Sequence, residues 1–200
     1  MPPTGPRPLR ADAQRNRDRL LDAAARAFSQ AGGAEVTLDA IAKDAGVGIG
    51  TLYRHFPTRE ALVEATYRKE LARLCDATSE LLESLPPDEA LRTWMDRFVD
   101  YMTTKRGMAD ALRAVIASGG NPFSESKARL TEAVTTLTRA GVDAGRVRPD
   151  VDAADLVASL GGVSLMAAEP TQREQAGRIL DLLMDGLRYG ARGTAAEPGT

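Results

Sequence analysis

One short stretch restricts the fold of this chain more tightly than any other. It is T-L-D-A-I-A-K-D-A-G-V-G-I-G-T-L-Y-R-H-F-P-T-R, residues 37–59. Thr37 suits a helix N-cap, because its hydroxyl oxygen can accept from an unpaired backbone N–H, and Asp39 follows in the first turn. Leu38, Ile41, Ala42 and Ala45 recur at helical spacing. Gly46 falls where a helix end favours a residue that tolerates positive φ. Val47 is the apolar residue of a tight turn. A second short helix, about Ile49 to His55, stops ahead of Pro57, which disfavours helix in the residue before it. Thr58 caps a third helix, with Glu60 and Glu64 in or near its first turn.

Two short helices joined by a glycine turn form a helix-turn-helix. Its packed side is expected to be Leu38, Ile41, Ala42, Val47, Leu52 and Phe56. Gly50, Thr51, Tyr53, Arg54 and His55 are left pointing largely outward. Small, hydroxyl-bearing, aromatic and basic residues together suit a face that lies against a DNA backbone and reaches base edges. The competing reading is an ordinary helical hairpin in a core. Packing alone does not account for an outward T-x-Y-R-H beside a glycine-rich turn.

The chain resembles the TetR family of transcriptional regulators in three consecutive pieces. They are the amphipathic R-L-L-D-A-A-A-R-A-F-S-Q-A-G, the segment T-L-D-A-I-A-K-D-A-G-V-G-I-G-T-L-Y-R-H-F, and P-T-R-E-A-L-V, all within residues 12–66. The turn departs mildly, reading G-V-G-I-G where Ser or Ala is commoner. The resemblance implies an all-α protein with an N-terminal three-helix DNA-binding domain, residues 1–57. A C-terminal helical domain, residues 58–200, would bind an effector and dimerise. It further implies a homodimer on operator DNA, most simply a repressor on a palindrome, released by a small ligand. Thr37 and Arg59 would contact phosphates, and Gly50, Thr51, Tyr53, Arg54 and His55 would form the groove-facing set. Arg54 is the residue type best able to read guanine through two hydrogen bonds.

Charge is distributed in keeping with this. The net charge is −2, but residues 1–59 carry nine Lys/Arg against six Asp/Glu, and the remainder 17 against 22. A basic N-terminal part on an acidic body suits local DNA contact. Cys75 is the one cysteine, so no intramolecular disulfide is expected. No apolar run approaches the ~18 residues of a membrane span, and M-P-P-T-G-P-R-P-L-R lacks the apolar core of a secretory signal. Cytoplasmic location is the expectation.

Residues 1–11 are Pro-rich and basic, expected to be disordered, with Arg7 and Arg10 as a potential arm toward DNA. The first helix should run from about Asp12 to Ala31, ended by Gly32 and Gly33, with Arg15, Arg17 and Arg19 near its start. A fourth runs from Thr58 to about Leu85, stopped by Pro86 and Pro87. A fifth starts near Asp88 and breaks at Lys105, Arg106 and Gly107. A sixth spans Met108 to about Ser118. A seventh spans about Phe123 to Ala144, with Gly141 permitting a bend or early end. The eighth, Ala153 to about Ala168, is nearly all small or apolar, and Gly161 and Gly162 imply that another helix approaches closely. The ninth covers about Thr171 to Tyr189, and the last ten residues look disordered. Helices eight and nine are the expected dimer interface.

Enzyme chemistry finds little material. His55 is the sole histidine, and one His with one Cys is a poor metal set, so neither a metal nor a cofactor is expected. No serine sits in a nucleophile elbow, and the glycines at 46, 48 and 50 follow a helix and do not fit G-x-G-x-x-G. Cys75 reads as an inert thiol. Trp94, Phe98, Tyr101, Met102, Met108, Leu112, Phe123 and Met166, with Cys75 and Thr78, suit either core packing or a largely apolar ligand cavity. The resemblance favours the cavity for the group. A small-molecule enzyme built on the helical body and a ligand-independent structural DNA binder remain the alternatives.

Overall fold

The computed structural model describes residues 7–30, 36–167 and 170–190. The described residues form helices and no strand: α1 (Arg7–Gln30), α2 (Leu38–Asp44), α3 (Ile49–His55), α4 (Arg59–Ser84), α5 (Pro87–Gly107), α6 (Ala109–Ala117), α7 (Ser126–Asp143), α8 (Ala153–Met166) and α9 (Pro170–Arg188). The chain divides into two compact units, Met1–Glu70 with Thr104–Pro122, and Leu71–Thr103 with Phe123–Thr200. The expected boundary at 57/58 therefore falls inside the first unit, and α4 and α5 each contribute residues to both.

In the first unit α1, α2 and α3 pack on one another. Leu20, Leu21, Ala24 and Phe28 of α1 meet Ile41, Ala42, Leu52 and Phe56 in the core, joined by Leu62, Val63 and Tyr67 of α4. The first helix begins at Arg7, not near Asp12, so the expected disorder through residue 11 is corrected from Arg7 onward. Pro8 explains the difference: in a first turn its missing N–H costs nothing and its fixed φ favours helix. Arg15, Arg17 and Arg19 consequently lie beyond the first turn, where the helix dipole has little hold on them. The expected roles of the Arg7 and Arg10 side chains, of Gly32 and Gly33, and of the last ten residues lie outside the described residues. α5 ends at Gly107, where the break was expected, with Lys105 and Arg106 in its last turn, where basic side chains suit the dipole. Gly107 is there for contact: a Cβ on it would lie 1.9 Å from the Phe28 carbonyl oxygen.

The second unit is built from Leu71–Ser84 of α4, most of α5, and α7 to α9, with α8 packed between α7 and α9. Leu74, Leu81, Leu91, Trp94, Met95, Phe98, Val134, Leu137, Leu160, Leu180 and Met184 are buried. Polar ties join α5 to α9. Arg92 Nε donates to Asp181 at 2.8 Å, and Arg173 reaches Asp96 and Asp100 at 3.0 Å each. Asp88, at the start of α5, is buried and accepts from Arg146 at 3.0 Å and Arg188 at 2.7 Å. Burial pushes its carboxyl up, but those two guanidinium groups outweigh it and hold the group below its usual range. Gly141 does not end α7, which continues to Asp143. It makes room for Val147, whose Cγ2 would stand 2.5 Å from a Cβ there, as the chain folds back with Arg146 N–H donating to Gly141 O at 2.8 Å.

Candidate nucleic-acid interface

The turn between α2 and α3 is set by backbone hydrogen bonds. Thr37 is extended, and its Oγ1 accepts from Ala40 N–H at 3.3 Å, which starts α2. At the other end Gly46 has φ +67, its N–H donates to Lys43 O at 3.1 Å, and Val47 N–H donates to Ala42 O at 3.0 Å. This double closure satisfies the last carbonyls of α2 and reverses the chain within two residues. Gly48 then caps α3 with Thr51 N–H donating to its carbonyl at 2.8 Å. Leu52 and Phe56 anchor α3 inward, so the rest of its residues are presented outward.

The residues expected to face outward differ in exposure. Tyr53 is 50% exposed, Arg54 and Gly50 are exposed, and Thr51 and His55 are half-buried. His55 lies against Phe56 with ring centroids 6.2 Å apart. A Cβ on Gly48 or Gly50 would meet nothing within 4 Å, so nothing inside the chain requires glycine at either place. A bare backbone at that surface suits close approach by something outside the protein. Thr37 is exposed, and its hydroxyl proton is still available after the cap bond is made.

Arg59 is placed differently from a free cation at a helix start. It is half-buried, donates to Val36 O, and lies over the Phe28 ring at 6.0 Å. It thereby holds the backbone leading into Thr37. Thr58, exposed and capping α4 through Ala61 N–H at 3.1 Å, offers a second hydroxyl of the Thr37 kind. Arg17, over the Phe56 ring at 5.4 Å, and exposed Lys43 complete the basic surroundings. The sequence marked Thr58 as a helix cap and Arg17 as an arginine near the start of the first helix; Lys43 did not stand out, since a surface cation looks alike everywhere. A groove of about 480 Å³ lies between α1 and α4, where Arg68 pairs with Glu64 at 2.7 Å and Lys69 with Asp22 at 2.8 Å.

The residues expected to line a ligand cavity are divided between the two units. Met108 and Leu112 are buried in the first unit. Trp94, Phe98, Tyr101 and Thr78 are buried in the second, where Cys75, Met102 and Phe123 are half-buried. Met166 is exposed on α8. Burial pushes the Cys75 thiol up, which opposes thiolate chemistry. Among the described residues no three His, Cys, Asp or Glu side chains gather in a metal-binding group, and no helix is long and apolar enough to cross a membrane.

Comparison with known proteins agrees with this geometry. Residues 20–66 match the bacterial regulatory proteins of the tetR family, and residues 86–189 match the C-terminal domain of SbtR-like transcriptional regulators. The chain is similar to the TetR transcriptional regulator SCO0520 from Streptomyces coelicolor, at 55% identity and a TM-score of 0.82 over 86% of this chain and 98% of that one. It is also similar to a TetR transcription regulatory protein from Mycobacterium vanbaalenii, at 36% identity and a TM-score of 0.72 over 90% and 99% of the two chains. A curated HTH-type transcriptional regulator of Mycobacterium tuberculosis is 35% identical over 126 residues, which is 62% of this chain and 59% of that protein. The chain thus spans about three fifths of the length of that curated relative. These relatives are regulators, not enzymes.

Proposed function

Because the chain belongs to the TetR family of transcriptional regulators, whose helix-turn-helix binds DNA, we propose that it is a homodimeric repressor of a palindromic operator, released by a small and largely apolar effector. It acts in the cytoplasm, where α3 enters the major groove. Thr51, Tyr53, Arg54 and His55 face the bases and backbone there, Gly50 permits close approach, and Thr37 contacts phosphate. Arg59 serves mainly by holding Val36 and hence Thr37. The effector binds in the second unit, and α4 carries both Arg59 and Thr78 on one continuous helix. The coupling is on the order of 1–3 kcal/mol and reciprocal, so operator weakens effector binding by the same factor.

The observation that carries the dimer is the outer face of α8 and α9. Leu165 is 72% exposed and Leu182 70%, and a Cβ on Gly161, Gly162 or Gly186 would meet nothing within 4 Å. Paired mid-helix glycines cost helix stability, and no neighbour in the same chain explains them. A second copy seated by two-fold symmetry does, since each patch then covers its own twin. Gly162→Leu should shift the protein toward monomer by light scattering. Operator affinity should fall with it, because dimer geometry sets the half-site spacing. An intact dimer in that variant would place the interface elsewhere.

A further inference from the structure

Several helical threonines in this protein return their hydroxyl proton to the carbonyl one turn back. Thr66 donates to Leu62 O at 2.8 Å, Thr103 to Val99 O at 3.1 Å, and Thr138 to Val134 O at 2.8 Å. For Thr78 that carbonyl is Leu74 O, and it is already taken by the indole N–H of Trp94 at 2.9 Å. Thr78 is 6% exposed, and its Oγ1 has no hydrogen-bond partner. A buried hydroxyl in that condition is costly in the free protein. Its presence makes sense if something that is absent from the free protein completes it.

The surroundings define what that partner is. Trp94 opens an aromatic row on α5, with the Phe98 ring 5.7 Å from it and Tyr101 6.2 Å from Phe98, all three buried. Near Cys75, one turn before Thr78, Arg129 pairs with Asp76 at 3.7 Å and Glu132 adds a second acid, which leaves no surplus positive charge for an anion. We propose that Thr78 donates the hydrogen bond that selects the effector, which is therefore a neutral, mainly apolar molecule bearing an acceptor oxygen such as a ketone. This rests on the effector reading above and names the chemistry of that site. A hydrocarbon of the same shape leaves the hydroxyl unpaired and is rejected for that reason.

Shape-matched pairs test the proposal: acetophenone against α-methylstyrene, and benzophenone against 1,1-diphenylethylene, each replacing C=O by C=CH2. Binding is followed by calorimetry and by emission of Trp94, the only tryptophan in the chain. At least one ketone should bind the wild-type protein about tenfold or more tighter than its alkene. Thr78→Val should bring that ratio to about one, and Thr78→Ser should keep it. The ligand-free Thr78→Val variant should melt no lower than wild type, since it loses only an unpaired hydroxyl. Failure of both ketones to bind, an unchanged ratio in Thr78→Val, or a lost ratio in Thr78→Ser overturns the proposal. Operator release is scored separately. A Thr78-dependent ketone that leaves operator affinity unchanged refutes the effector reading and spares the site. Release by ligands indifferent to Thr78→Val does the reverse.

Discussion

Replacing two nearby glycines by alanine should move stability in opposite directions. Gly46 has φ +67 and open space around it, so a methyl group there meets no atom and the whole penalty is backbone strain. An L-residue in that conformation costs about 1–2 kcal/mol. Lower entropy of the unfolded chain returns about 0.4–1 kcal/mol. Gly46→Ala should therefore destabilise by roughly 1 kcal/mol, or about 2–4 °C for a chain of this size. Gly50 lies inside α3 at negative φ, also in open space. Gly50→Ala should stabilise by up to about 1 kcal/mol through helix propensity alone. Its effect on DNA binding is the opposite, because the added methyl occupies the surface that meets the duplex. An affinity loss of about tenfold, or about 1.4 kcal/mol, is expected. Urea unfolding and operator titrations at fixed salt measure both quantities. A neutral Gly46→Ala refutes the strain argument. A Gly50→Ala variant that is more stable and binds operator normally refutes close approach of DNA at α3.

Two further substitutions test the second unit. Asp88→Asn should cost about 2 kcal/mol at neutral pH, since it removes the negative charge and puts an NH2 donor in place of one of the two buried oxygens that accept from Arg146 and Arg188. The carboxyl is held below its usual range, so its contribution is present above the unfolded-state pKa and is lost as pH falls through the folded one. Unfolding curves of wild type and variant should therefore converge in acid, and a constant gap would contradict the assignment. Gly141→Ala should destabilise by about 1–3 kcal/mol through overpacking against Val147. Val147→Ala in the same chain should recover much of that loss in a double-mutant cycle, and additivity would show that the two do not meet.

The helix-turn-helix was legible because its signals are local. A cap hydroxyl, a helical apolar period and a positive-φ glycine each act within a turn, and Thr37, Ile41 and Gly46 behave as their chemistry dictates. Pro8 was not legible as a helix residue, because the same side chain ends a helix at most positions and opens one only in the first turn. The packing roles of Gly107 and Gly141 were not legible either, because what they admit, the Phe28 backbone and Val147, is not marked by the residues beside them. The ligand candidates failed to separate because Met108 and Trp94 have the same helical spacing and apolarity while belonging to different units. Thr78 became informative only once Trp94 was seen to occupy the Leu74 carbonyl.

The acid at position 88 also imposes an order on synthesis. Arg146 follows it by 58 residues and Arg188 by 100. At about 5–20 residues per second, the second guanidinium is made roughly 5–20 s after the carboxylate. During that interval the start of α5 carries a carboxylate destined for burial but without its full complement of partners. The second unit therefore closes fully on this carboxylate only after Arg188 has left the ribosome, and a nascent chain stalled before Arg188 should hold α5 in a looser, more protease-sensitive state than a chain that includes it.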